Sequence, residues 1–223
     1  MCTLYTILSR STRDPAPRGH FQGGRSMRKL VLLMNVSVDG YVGGPNGELD
    51  WLFPFLGPAQ VECVTEFLRE ADTMLIGRVS YLQQIAYWSA KTAPGPLGKY
   101  QAKFGDAGDE MSALLDEIAK VVFSRTLERL DWSNSRFATA DVAEEVTRLK
   151  QQPGKNIIVR GSATLVHDLI RLRLIDEYNL VVHPIALGRG IPLFGESSGH
   201  VKLRLVATKT FDSGALLLTY QGV

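Results

Sequence analysis

Leu30–Val38 (LVLLMNVSV) is apolar at nearly every position, with Arg28-Lys29 before it and Asp39-Gly40 after it. A strand with one wet face alternates apolar and polar side chains, whereas a run that is apolar at both parities belongs in a sheet covered on both faces. Helices have to supply those covers, and the chain downstream provides them by alternating strand-like and helix-like patterns. Pro58–Glu70 sets Val61, Val64, Phe67 and Leu68 on one helical face. Val79–Trp88, Val142–Gln152 (Val142, Val146 and Leu149 in register, stopped by Pro153-Gly154) and Ala163–Leu174 read as further helices. Between them, Thr73–Ile76, Lys120–Phe123, Phe137–Thr139, Asn156–Arg160 and Glu177–Val182 read as strands. Two closing strands, Lys202–Phe211 and Ala215–Gln221, meet at Asp212-Ser213-Gly214, a hairpin signal. Ser89–Gly108, with Pro94, Pro96 and several small residues, reads as a long surface loop.

The 223 residues, 45% hydrophobic and 22% charged, suit one well-covered α/β core and exclude a disordered or fibrous chain. No apolar run approaches the ~20 residues that would span a bilayer. The two cysteines, Cys2 and Cys63, form no C-x-x-C pair. That excludes a disulfide framework and a thiolate zinc site and fits a reducing, cytoplasmic compartment. His20, His167, His183 and His200 never fall into an H-x-x-x-H or H-x-E pattern, so no metal is expected.

The net charge of +2 is unevenly placed. Residues 1–26 carry Arg10, Arg13, Arg18 and Arg25 against Asp14, a local +3, leaving −1 on the rest. A near-neutral domain lacks the phosphate-neutralising surface that nucleic-acid binding requires. The Ser-, Pro-, Gly- and Arg-rich stretch Ser9–Ser26 reads as a disordered basic extension, with the domain proper spanning 27–223. A targeting peptide of similar composition is the other reading.

Three segments carry candidate chemistry. The first, S-V-D-G-Y-V-G-G-P-N-G-E-L-D-W (Ser37 to Trp51), runs from a strand into a glycine-rich loop with two acids. It is either a ligand-covering loop or a hairpin with turn glycines. In the second, Val159-Arg160-Gly161-Ser162-Ala163-Thr164-Leu165, a strand ends in a Gly-Ser turn that opens a helix. Such a turn offers free N–H groups and the positive dipole end to a phosphate, unless it is an ordinary junction capped by Ser162. The third is the pair Ile76-Gly77-Arg78 and Phe123-Ser124-Arg125-Thr126, which places an arginine at each of two strand ends. A guanidinium fork beside hydroxyls suits a ribose 2′-phosphate, and lone surface arginines are the plainer alternative. His183 reads as a buried, hydrogen-bonded histidine and Trp88 as a core residue.

Together these segments resemble the dihydrofolate-reductase-like family, and within it the stand-alone relatives of the reductase half of the bacterial riboflavin-biosynthesis deaminase/reductase. The resemblance rests on the Ser37–Trp51 block, L-I-G-R-V-S-Y, V-V-F-S-R-T-L, V-R-G-S-A-T-L-V and L-I-D-E-Y-N-L-V-V-H-P-I-A-L-G-R-G-I-P-L-F, and covers roughly Arg28 to Gln221. It implies a three-layer α/β/α fold with a mixed, mostly parallel sheet and a C-terminal antiparallel hairpin, and a homodimer. It implies NADPH across the strand ends, with Gly77, Arg78, Ser124, Arg125 and Thr126 around the 2′-phosphate. Gly161, Ser162, Ala163, Thr164 and Leu165 would hold the pyrophosphate. Asn35, Ser37 and Trp51 would border the substrate, with Asp39, then Asp50, as the catalytic acids.

The chain departs from the family in two places. It lacks the His/Cys/Cys zinc set of a deaminase half. It also has no carboxylate between Trp51 and Glu62, where folate reductases carry one. The expected activity is hydride transfer from NADPH to a C=N or C=O of a small pterin- or pyrimidine-like substrate. A non-catalytic NADP(H)-binding or ligand-sensing protein is the alternative.

Overall fold

The computed structural model describes residues 28–88, 98–195 and 199–223. The basic segment 1–26, residues 89–97 of the expected loop and the side chain of Trp88 lie outside the described residues. The elements in chain order are β1 (Leu30–Ser37), β2 (Tyr41–Gly43), a 3₁₀ turn (Asp50–Phe55), α1 (Pro58–Arg69), β3 (Ala71–Gly77), α2 (Arg78–Trp88), α3 (Gly98–Glu117), β4 (Ala119–Phe123), β5 (Ser135–Phe137), α4 (Val142–Gln151), β6 (Asn156–Val159), α5 (Ala163–Arg171), β7 (Glu177–His183), β8 (Ile191–Pro192), β9 (Leu203–Thr210) and β10 (Leu216–Gly222).

An eight-stranded sheet runs in the order β5-β4-β3-β6-β1-β7-β10-β9. The strands from β5 through β7 are parallel, and β10 and β9 close one edge as an antiparallel hairpin. The central run Leu30–Val38 contributes buried residues to both faces. Leu30, Leu32, Met34 and Val36 pack with Val146, Leu149, Val166 and Leu169 from α4 and α5. Leu33 packs on the other side with Val61, Leu68, Tyr81, Met111 and Leu115 from α1, α2 and α3. Each fully buried aliphatic side chain contributes about 1.5–3 kcal/mol, so this double-sided core is the main driving force for the three layers.

Buried polar groups staple the edges of these layers. Lys120, buried on β4, donates through Nζ to the carbonyls of Asp116 (3.3 Å), Ile118 (2.9 Å) and Ser133 (3.0 Å) and lies 4.5 Å from the Trp132 ring. Burial pushes its pKa down to about 8. Tyr81 Oη accepts the backbone N–H of Trp132 at 2.7 Å, tying α2 to the segment that follows β4. Tyr81→Phe strands that buried N–H and is expected to cost about 2 kcal/mol in chemical denaturation. A loss under a few tenths would mean that the N–H finds another acceptor.

The structure corrects the sequence reading at several places. The Ser89–Gly108 loop gives way, from Gly98 onward, to α3, in which Gly105 sits at φ +52, ψ −145 and kinks the helix. The short strand lies at Ser135–Phe137 rather than Phe137–Thr139. The glycine-rich segment after β1 is not a simple hairpin. Its β2 pairs antiparallel with β8 as a separate two-stranded ribbon. There the Gly190 backbone comes so near that a Cβ would lie 2.2 Å from the Gly43 carbonyl oxygen. The sequence holds no alternating run for strands of three and two residues, so the pattern could not show them.

Candidate functional site

The six parallel strands present their carboxyl ends at one edge of the sheet. From β1 and β3 the chain leaves into α1 and α2 on one face, and from β6 it leaves into α5 on the other. Strands whose connections part in this way open a crevice at their tips. A cleft of about 1020 Å³ lies there, roomy enough for a dinucleotide half and a small second molecule.

Three strand tips form one half of the cleft. From β3 come Gly77 and Arg78, and from β4 come Phe123, Ser124, Arg125 and Thr126. Ser124 Oγ accepts the N–H groups of Thr126 (3.2 Å) and Leu127 (3.0 Å), which fixes the turn carrying Arg125. Arg78 and Arg125 are exposed, and neither has an ion-pair partner among the described residues.

From β6 come Gly161 and Ser162, followed by Ala163, Thr164 and Leu165 in the first turn of α5. Gly161 has φ +91 and Ser162 φ +64, a left-handed pair. Ser162 stands at the N-cap but does not cap with its side chain. Its Oγ accepts the Gly77 N–H at 2.8 Å, while its own N–H donates to Ser80 Oγ at 2.6 Å. The ordinary capping role expected as the alternative is therefore absent, and the first-turn N–H groups of α5 are left for a ligand. A Cβ on Gly77 would lie 2.5 Å from Ser162 Oγ and 2.7 Å from Ser162 Cβ, so the closeness of the β3 and β6 tips depends on that glycine.

The other half of the cleft is lined by Asn35, Val42, Gly43, Asn46, Gly47 and Ile191, with Gln60, Gln84 and Arg160 also in its wall. Asn35 Oδ1 lies 3.0 Å from His183 Nε2. Because Oδ1 can only accept, Nε2 carries the proton and Nδ1 is the bare acceptor. His183 is completely buried, and desolvation pushes its pKa down to about 4, so it is neutral at pH 7. The Trp51 ring meets it edge-on at 5.7 Å and the Phe55 ring at the same distance. Neither Trp51 Nε1 nor His183 Nδ1 has a hydrogen-bond partner among the described residues.

Asn35 and the ten expected cofactor residues from Gly77 to Leu165 all line the cleft. The other four expected residues do not. Asp39 sits on an exposed turn, and its carboxylate accepts Ser37 Oγ (2.6 Å) and the N–H groups of Leu187 (3.1 Å) and Gly188 (2.7 Å). The Ser37 bond and those amides hold its pKa below the usual carboxylate range. That geometry clamps the turn after β1 to the loop after β7; it does not present an acid to the cleft. Ser37 is buried and staples the same turn by accepting the Tyr41 N–H at 2.9 Å. Asp50 is exposed at the start of the 3₁₀ turn, and Trp51 is buried behind the cleft wall. Sequence reasoning assigned no role to Gln84 and Arg160. The one available signal was an arginine at the end of an apolar strand, directly before Gly161.

The fold and its strand-tip cleft are those of a dihydrofolate-reductase-like protein. Residues 28–217 match the model of the RibD C-terminal domain, and the chain belongs to that family. It is 35% identical over 195 residues to the uncharacterized protein YyaP of Bacillus subtilis strain 168, covering 86% of this chain and 94% of YyaP. Its fold is similar to that of a putative riboflavin biosynthesis protein from Shewanella sp. PV-4, with TM-score 0.66, 18% identity and coverage of 87% and 99% of the two chains. It is also similar to Enterococcus faecalis dihydrofolate reductase solved with NADP(H), with TM-score 0.54, 14% identity and coverage of 87% and 96%. No helix among the described residues is long and apolar enough to cross a membrane.

Proposed function

We propose that the protein is an NADPH-dependent reductase of a small, planar, pterin- or pyrimidine-like substrate. One observation supports this above the others: the tips of β3, β4 and β6 bring two arginines, without ion-pair partners among the described residues, and a glycine-held helix N-terminus into one cleft. The left-handed Gly161-Ser162 turn and the first turn of α5 would hold the pyrophosphate, and Arg78, Ser124, Arg125 and Thr126 the 2′-phosphate. NADPH, when bound, supplies the hydride. Asn35, oriented by neutral His183, would present its amide to the substrate, and the β2–β8 ribbon would limit water at that end. Asp39 and Asp50 keep no catalytic part in this reading, because neither lines the cleft. A homodimer is also proposed, supported by the exposed apolar residues Leu205 and Val206 on edge strand β9; size-exclusion chromatography with light scattering decides it.

Fluorescence titration with NADPH and NADH tests the cofactor assignment. The wild type should bind NADPH at micromolar levels or better. The double variant Arg78→Ala/Arg125→Ala should lose about 10–100-fold of its preference for NADPH over NADH. Equal losses for both nucleotides would remove the 2′-phosphate assignment, and binding of neither by the wild type would remove the reductase reading. NADPH that binds but stays unoxidised with pterins, flavin precursors and quinones would favour the sensing alternative.

A further inference from the structure

Arg160 is a polar side chain of the cleft that the cofactor reading leaves without a role. It directly follows β6, ahead of the Gly161-Ser162 turn, and lines the cleft. Its Nη1 is withdrawn from solvent without a hydrogen-bond partner, and no carboxylate pairs with it among the described residues. The two cleft-lining aspartates are committed elsewhere: Asp168 pairs with Arg171 at 3.0 Å, and Asp141 caps α4 through the Glu144 N–H at 2.9 Å. Burial pushes the Arg160 pKa down to about 10, which still leaves a cation at neutral pH.

Gln84 shares this situation. Its Nε2 donates to the Arg160 carbonyl at 2.8 Å, which fixes the amide, yet its Oε1 is buried in the same cleft with no donor. Stranding a guanidinium nitrogen and an amide oxygen away from water is costly unless a partner arrives with the ligand.

We infer that Arg160 and Gln84 form a substrate subsite for an oxyanion, a carboxylate or a phosphate monoester, carried beside an N–H or O–H donor. The guanidinium takes the oxyanion and Gln84 Oε1 takes the neighbouring donor. The inference depends on the reductase reading only in calling the bearer of that anion a substrate.

The test uses the full chain and paired probes: orotate, which carries a carboxylate beside a ring N–H, against its neutral amide orotamide. Orthophosphate and ribose 5-phosphate are run as competitors. The wild type should prefer orotate by about tenfold or more, and Arg160→Met should erase that preference while leaving NADPH affinity within about threefold. Displacement of orotate by the phosphates assigns the subsite to a phosphate monoester, and resistance to them assigns it to a carboxylate. Without ligand, Arg160→Met should melt higher than the wild type, since it relieves a half-buried charge with no ion-pair partner among the described residues. Equal wild-type affinity for orotate and orotamide with no phosphate binding overturns the proposal. So does a lowered melting temperature in Arg160→Met, or a loss of NADPH affinity in place of anion preference. Should the wild type fail to bind NADPH yet keep its preference for orotate, the cofactor reading falls and the oxyanion subsite stands.

Discussion

Gly77→Ala is expected to lower NADPH affinity by about a hundredfold or more, the value of two or so charge-assisted hydrogen bonds from the first turn of α5. The new methyl group meets Ser162 at 2.5 and 2.7 Å. Ser162 cannot yield by side-chain rotation alone, because its Cβ is one of the two colliding atoms and its backbone is already left-handed. The Gly161-Ser162 turn must therefore move away from β3, and the N–H groups of α5 move with it. A second substitution separates this account from general damage. Ser162→Gly removes both colliding atoms and places a glycine where φ is +64, so the double variant should recover to within about tenfold of the wild type, the remaining loss reflecting the missing acceptor for the Gly77 N–H. Single-variant binding within threefold of the wild type, in an intact fold, would place the nucleotide elsewhere.

The second large effect lies in acid stability. His183 titrates near 6.5 when unfolded and near 4 in the fold. Between those values the unfolded chain takes up a proton that the folded chain refuses, so stability falls as pH drops from about 6.5 to 4 and this contribution levels off below. A displacement of that size corresponds to about 3 kcal/mol for so deeply buried a group. Urea melts of the wild type and His183→Gln across this window should diverge by that amount, the variant showing the shallower decline. Carboxylates contribute to both curves and cancel in the difference. Parallel curves would mean that His183 gains its proton at the ordinary pH in the fold.

Most of the scaffold could be read from periodicity because the core is built from local signals. Leu30–Val38 announced a doubly covered strand, the α4 face was in register, and Asp212-Ser213-Gly214 turned the final hairpin. The helix α3 was hidden by Gly98, Gly105 and Gly108, although Phe104, Met111 and Leu115 along it are buried. Only in three dimensions does Gly105 show itself as a kink between helical pieces. That the strand-end glycines and arginines share one cleft was legible because they carry their meaning in their spacing. The half of the cleft beside β1 was not. Asp39 looked catalytic by its place in the loop, but its oxygens are taken by amides some 150 residues downstream, at Leu187 and Gly188. Arg160 matters because of the partner it lacks, and no linear pattern records a missing partner.

Two bonds brace the Ser162 turn, one to β3 through Gly77 and one to α2 through Ser80. A nucleotide would thus meet a mould already set. Little freedom is left in that turn to be frozen on association, so capture would be fast and only weakly sensitive to temperature through chain ordering. Loosening the brace at Ser80 would convert the same surface into one that has to be shaped anew at each encounter.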